Sequence, residues 1–302
     1  MKFSKLHKSV MSFIALGPLI YWFSVKLNQD LWWDEIISLK DYALEGFTTT
    51  ITTYPDPNNH ILFNIINGLI VQLFGWNNIY EVLESSFLLR VVQAVFALIT
   101  LIYTYKIASN FFSKNFAFIA IALLCSTIPF LNFSLQLRGY NLSAMLLVMC
   151  VYYTWSYIKE KKSAYLIVAS ILVFTSLYTL PSNIYFFFGL GLTLLFEWVK
   201  GLLTIKSSND KRKHNKGYLL MALSGAIALL LCYLAYTPVM ENLLHNRFVD
   251  ASPRKNAYAL NTIFPNVIKA FFSYRWLLFL LPLPFIIFRK KLKQQKSTNK
   301  KT

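Results

Sequence analysis

Apolar and polar positions along the chain fall into long blocks. Apolar runs of roughly 18 or more residues recur, about the length a helix needs to cross a bilayer core. They predict helices at about 10–27, 87–106, 116–136, 140–158, 164–180, 182–200, 217–238 and 271–288. The expected fold class is an all-α polytopic membrane protein with about 8 transmembrane helices. A further apolar stretch, Ile61 to Gly75, is short and is interrupted by Asn64, Asn67 and Gln72. It is read as an interfacial helix within one long first outer loop, residues 28–86. Reading it as a ninth span would flip every later loop.

Charge supports that choice. Of the 30 Lys and Arg residues, 21 lie in the gaps 1–9, 106–115, 159–163, 200–216 and 289–302. Basic residues at every second gap mark the cytoplasmic side. Residues 1–9 are then a cytoplasmic N-terminus, 10–288 a single transmembrane domain, and 289–302 a basic cytoplasmic tail. The outer face holds loop 28–86, the turns near 137–140 and 178–182, and a second outer loop, 239–270. The first loop carries eight of the thirteen acids: Asp30, Asp34, Glu35, Asp41, Glu45, Asp56, Glu81 and Glu84. The second carries Glu241, His245, Arg247, Asp250, Arg254, Lys255 and Lys269.

Composition narrows the function. The chain has 302 residues, of which 56% are hydrophobic and 14% charged, too apolar for a soluble domain of this length. Its net charge of +17 sits in clusters beside apolar helices, so it argues for membrane lipids as partners and against nucleic acid. Cys125, Cys150 and Cys232 all fall inside apolar helices, without metal-ligand spacing or a disulfide framework. The first apolar segment follows Lys2, Lys5 and Lys8 without a small-residue cleavage site, and reads as an uncleaved anchor.

Few polar residues on the outer face can carry chemistry. Asp34 and Glu35 follow Trp32 and Trp33, which favour the headgroup level and so place two carboxylates where a lipid phosphate would sit. Tyr54-Pro55-Asp56-Pro57-Asn58-Asn59-His60 is a rigid polar turn before the interfacial helix, and Asn59 or His60 can cap that helix and still face a ligand. Arg138-Gly139-Tyr140 joins two apolar helices, and an Arg fork pairs well with phosphate. Arg90 either pairs with Glu81 or Glu84 or faces the same cavity. In Tyr178–Asn183, Pro181 ends one helix, and Ser182 or Asn183 can cap the next. There is no phosphate-cradling Gly-rich loop, Ser–His–Asp arrangement or zinc motif. An outer site away from nucleotides needs a donor activated by a lipid phosphate.

The order of these elements resembles the class C membrane glycosyltransferases. It is similar to the protein O-mannosyltransferases (glycosyltransferase family 39-like) and to the bacterial aminoarabinose-to-lipid A transferases. The resemblance covers about residues 10–200 and rests on an Asp-Glu pair opening the first outer loop, a His-containing turn before an apolar helix, Phe-x-x-Arg ending at Arg90, and Arg138-Gly139-Tyr140. Departures are His60-Ile61-Leu62 where the family often has His-Pro-Pro-Leu, and Val91-Val92 after Arg90 where it often has Leu-Pro. The resemblance implies a transferase with Asp34 and Glu35 at the catalytic centre and His60, Asn59, Arg90, Arg138 and Tyr140 binding substrate. It implies an inverting transfer at the outer face from a polyprenyl-phosphate sugar donor to a lipid, glycan or protein acceptor. No cofactor is expected, although a divalent cation beside Asp34, Glu35 and His60 is conceivable. The expected location is the bacterial plasma membrane, multi-pass, with both termini cytoplasmic. A transporter or flippase of a lipid-linked sugar, or a non-catalytic or truncated assembly subunit, stays open as an alternative.

Overall fold

The computed structural model describes residues 5–55, 58–245, 261, 262 and 265, with side chains from residue 15 onward. The chain divides into two units, Met1–Phe248 and Val249–Thr302, and the description below concerns the first. Every regular element among the described residues is helical. In order they are α1 (Lys5–Lys26), α2 (Trp33–Ser38), a π turn (Leu39–Ala43), α3 (Gly46–Thr52), α4 (Ile61–Phe74), α5 (Ile79–Glu84), α6 (Ser86–Phe111), α7 (Lys114–Cys125), α8 (Ile128–Phe133), α9 (Gly139–Glu160), α10 (Ser163–Thr179), α11 (Ile184–Thr204), α12 (Ser208–Tyr236) and α13 (Met240–Leu244).

Four segments among the described residues are long and apolar enough to cross a membrane: Ser86–Phe111, Gly139–Glu160, Pro181–Thr204 and Ser208–Leu244. The chain is accordingly a multi-pass membrane protein of helical hairpins, built on α6, α9, α10 and α12. The main core gathers Leu89 of α6, Leu142, Met145, Leu146 and Cys150 of α9, Leu172 of α10, and Phe63 and Val71 of α4. Many large apolar side chains on α11 and α12 are exposed, as lipid-facing positions must be.

Hydrogen bonds between helices fix their relative directions. The Asn141 side chain of α9 donates to the Gln93 carbonyl of α6 at 2.6 Å, and two turns or more further along, the Tyr103 and Tyr153 hydroxyls meet at 2.9 Å. α6 and α9 therefore run the same way. The Tyr236 hydroxyl donates to the Leu177 carbonyl at 3.0 Å and the Tyr157 hydroxyl to the Gly217 carbonyl at 3.4 Å, so α12 runs with α10 and against α9. One end of the bundle thus collects the starts of α6, α9 and α11, the ends of α10 and α12, and the loop after α1. The other end collects the basic helix termini.

Three expectations need correction. The single span at 116–136 is two helices, α7 and α8, broken at Ser126-Thr127. The Ser126 hydroxyl donates to the Ala122 carbonyl at 2.7 Å and the Thr127 hydroxyl to that of Leu124 at 2.8 Å, while Pro129 brings no N–H to continue the ladder. At a rise of about 1.5 Å per residue, α7 reaches only ~18 Å. The basic gap 200–216 is mostly helical: α11 runs on to Thr204, and Ser207 caps α12 by accepting the Asp210 N–H at 3.4 Å. The long first loop, expected to carry one helix, holds α2, the π turn, α3, α4 and α5. Among these, α4 covers the short apolar stretch at Ile61–Phe74, and Gly75 closes it with positive φ (68°) and the paired carbonyl bonds of a Schellman end. The predicted helix 271–288, the tail 289–302, Asp56, Pro57 and most of the second outer loop lie outside the described residues.

Candidate functional site

The polar end of the bundle is organised around two arginines, each holding one carboxylate of the Asp34-Glu35 pair. Glu35 sits in the first turn of α2 and is 1% exposed. Its Oε2 accepts the Trp32 N–H at 2.7 Å, so the side chain reaches back over the helix start. Its Oε1 accepts the Leu137 N–H at 2.6 Å, from the loop before α9. Arg90 completes the cluster, with Nη2 3.4 Å from Glu35 Oε2. The Arg90 guanidinium also donates to three carbonyls: Nη1 to Leu135 at 3.0 Å, and Nη2 to Gln29 at 2.9 Å and Asp30 at 3.0 Å. Arg90 therefore pairs with Glu35, not with Glu81 or Glu84. Glu81 instead closes the start of α5, accepting from Asn77 N and Asn78 Nδ2.

Asp34, one residue earlier, points outward, and its side chain is 51% exposed. Its Oδ2 lies 2.8 Å from Nη1 of Arg138, whose own side chain is 5% exposed. Arg138 Nη2 donates to Asn58 Oδ1 at 2.8 Å, and the guanidinium lies 5.4 Å from the Tyr140 ring centroid. A buried cation is thus held between an aspartate, an amide and an aromatic face, with its Nε lacking a partner. The other oxygen of Asp34, Oδ1, bonds nothing among the described residues.

His60 and Asn59 lock the turn before α4. The Asn59 amide donates to the Thr50 carbonyl at 2.8 Å and the Thr53 carbonyl at 2.6 Å, and its oxygen accepts from Asn64 at 3.0 Å. Neither Asn59 nor His60 makes the expected side-chain cap on α4. His60 Nδ1 instead accepts the Gly139 N–H at 2.7 Å, across to the start of α9. Gly139 must be glycine here, because a Cβ would lie 2.8 Å from His60 Cβ and 2.9 Å from Thr179 Cγ2. Burial, with help from Arg138, lowers the His60 pKa to about 3. Tyr140, 37% exposed, stands edge-on to His60 at 5.0 Å and beside Phe133 at 4.9 Å.

All seven residues expected at the site therefore converge, but unequally. Asp34 and Tyr140 are partly exposed, whereas Glu35, Asn59, His60, Arg90 and Arg138 are buried. The three conceivable cation ligands turn to different partners: Asp34 to Arg138, Glu35 to two backbone N–H groups and Arg90, and His60 to Gly139. Among the described residues no group of three His, Cys, Asp or Glu side chains is arranged to hold a metal ion. Asn183 does not cap α11: it bonds the Ser143 hydroxyl at 2.9 Å and the Ser176 carbonyl at 2.8 Å, tying α9 to α10. Gln93, which belongs to none of the motifs above, is fully buried beneath the site, with Nε2 3.5 Å from the Arg138 carbonyl and Oε1 3.2 Å from Asn141 Nδ2. The available signal was a glutamine three residues after Arg90 on an otherwise apolar helix face.

Residues 71–222 match the family model described as dolichyl-phosphate-mannose-protein mannosyltransferase. No curated protein and no solved structure gives a significant match. The matched span contains Arg90, Arg138 and Tyr140 and stops short of Asp34, Glu35 and His60. The fold joins the two sets, since Arg90 and Arg138 of the matched span hold carboxylates from outside it. With half of its length in the match, the chain belongs to the dolichyl-phosphate-mannose-protein mannosyltransferase family and is a membrane glycosyltransferase of that kind.

Proposed function

We propose that this glycosyltransferase moves a sugar from a polyprenyl-phosphate carrier to an acceptor hydroxyl, with Asp34 as general base and Arg138 as the cation that receives the phosphate. The observation that carries the reading is the Asp34–Arg138 pair, a half-exposed carboxylate 2.8 Å from a buried guanidinium at the polar end of an apolar bundle. In the proposed step the acceptor oxygen bonds to the anomeric carbon while the bond from that carbon to the phosphate oxygen breaks. The electron pair leaves on the phosphate, the acceptor proton passes to Asp34, and the configuration inverts. Negative charge gathers on the phosphate as the bond breaks, and a cation already in place there stabilises the transition state without reorganising. Phosphate leaves readily, so the step asks for one base and no general acid. Asp34 and Arg138 suffice for this scheme without a cofactor, and loss of transfer on adding a chelator would reverse that point.

Glu35 and Arg90 act by position. Their cluster ties α2, the loop after α1, the start of α6 and the loop before α9 into one unit, which sets Asp34 against Arg138. Asn59 does the same for the turn that carries Asn58. The exposed Trp32 and Trp33 fit an anchor at headgroup depth. Basic residues at the opposite end support an outer-facing site in a plasma membrane, with a lipid, glycan or protein acceptor approaching from outside. Among the described residues the ion pairs lie near helix ends, while a transporter calls for ionisable groups at mid-membrane.

The test is transfer of radiolabelled sugar from membrane-extracted polyprenyl-phosphate donors by the purified protein, beside Asp34→Asn. Transfer by the wild type that collapses in an equally folded variant supports the scheme. Equal transfer by both removes Asp34 as the base. No transfer from any donor returns weight to the transporter or assembly-subunit readings.

A further inference from the structure

The two nitrogens of His60 have different fates. Nδ1 accepts the N–H of Gly139, the first residue of α9. That N–H is one of the four a helix leaves unbonded at its start, and it lies at the positive end of the helix dipole. A nitrogen that accepts a hydrogen bond carries no proton, so the imidazole proton sits on Nε2. Turning the ring over would lose the Gly139 hydrogen bond and disturb the edge-on packing with Tyr140. A second proton is opposed by burial, by Arg138 and by the α9 terminus. The polar groups near the ring are Arg138 and Tyr140 from the start of α9, with Asp34 beyond Arg138. Nε2 has no nitrogen or oxygen partner among the described residues.

His60 and Arg138 both pack against the Tyr140 ring, at 5.0 and 5.4 Å, so this single N–H lies near the cation to which the proposed function brings a phosphate. The geometry points to His60 as a neutral donor whose Nε2–H bonds a phosphate oxygen of the lipid carrier, next to Arg138. This rests on the carrier reading above. A neutral imidazole keeps its proton as the phosphate departs, so it serves as a preorganised hydrogen-bond donor to the leaving group and not as an acid. A hydroxyl is a poorer match, since a donor beside an arginine favours an anionic acceptor.

The experiment uses the full chain with 15N-histidine in lipid nanodiscs, titrated with undecaprenyl phosphate and, in parallel, with undecaprenol. The His60 signals are assigned by their loss in His60→Asn. The expected result is an Nε2-protonated neutral ring from about pH 5 to 8, whose Nε2 signal moves with the phosphate and not with the alcohol. His60→Asn keeps a short acceptor for Gly139 and loses the Nε2–H, and should bind undecaprenyl phosphate about 10- to 100-fold more weakly. An Nδ1-protonated ring overturns the inference. So does an Nε2 signal indifferent to a phosphate that the wild type demonstrably binds, which leaves the carrier reading intact. Failure of the wild type to bind undecaprenyl phosphate at all overturns both.

Discussion

The two ends of the bundle handle charge in opposite ways. At the basic end, Lys200 pairs with Glu197 at 3.3 Å and Lys162 with Glu160 at 2.6 Å, and all four side chains are exposed. Each pair is local in sequence and holds no second element. At the polar end, Glu35 and Arg90 are 55 residues apart in sequence and almost fully buried, and Arg138 reaches across 80 residues to Asn58. Exposed pairs cost little to form and contribute little. Buried ones are expensive to desolvate, and they endure only where backbone groups complete their hydrogen bonding, as two N–H groups do around Glu35 and three carbonyls around Arg90. The difference teaches that positive charge at one end serves orientation in the membrane, while charge at the other end holds a shape.

The contrast can be broken most severely at Glu35. Glu35→Ala leaves Arg90 and two N–H groups without their partner, and should destabilise the fold by about 3–5 kcal/mol, read as loss of monodisperse protein on heating in detergent. Asp34→Asn, one residue away, should leave the melting behaviour near wild type while lowering transfer by about 10²- to 10⁴-fold. Gly139→Ala forces a methyl group against His60 and Thr179, and an overpacking cost of about 1–3 kcal/mol is expected in the same thermal assay. Acid supplies a finer probe. His60 holds fewer protons folded than unfolded, so its contribution is fully present above about pH 6.5 and is lost as pH falls toward about 3. The stability–pH curve should steepen there by up to roughly 1.4 kcal/mol per pH unit, and His60→Asn should flatten it. At the opposite end, Lys200→Ala should change stability by no more than about 0.5 kcal/mol.

Legibility differed between elements for physical reasons. Long apolar helices such as α6, α9 and α10 begin and end within a few residues of the expected boundaries, because bilayer thickness and hydrophobicity dictate both. The break between α7 and α8 was hidden, because Ser126, Thr127 and Pro129 are individually tolerated in an apolar helix. Only their joint hydrogen bonding stops it. At the site, Asp34, Glu35, His60, Arg90 and Arg138 stand out as polar residues in an apolar chain. Which of them face a ligand did not stand out, since Asp34 and Glu35 are neighbours with the same chemistry. One helical residue step of about 100° separates the exposed carboxylate from the buried one.

What the sequence by itself determined is the membrane character, the approximate helices and the segregation of basic gaps from the acidic loop. Those follow from local hydrophobicity and from charge counted along the chain. What only the tertiary structure decided is the partnership: Arg90 with Glu35 and three carbonyls, Arg138 with Asp34 and Asn58, and His60 with the start of α9. Each is a hydrogen bond between segments distant in sequence. Its existence depends on helix direction and on a close approach of backbone that no local pattern encodes.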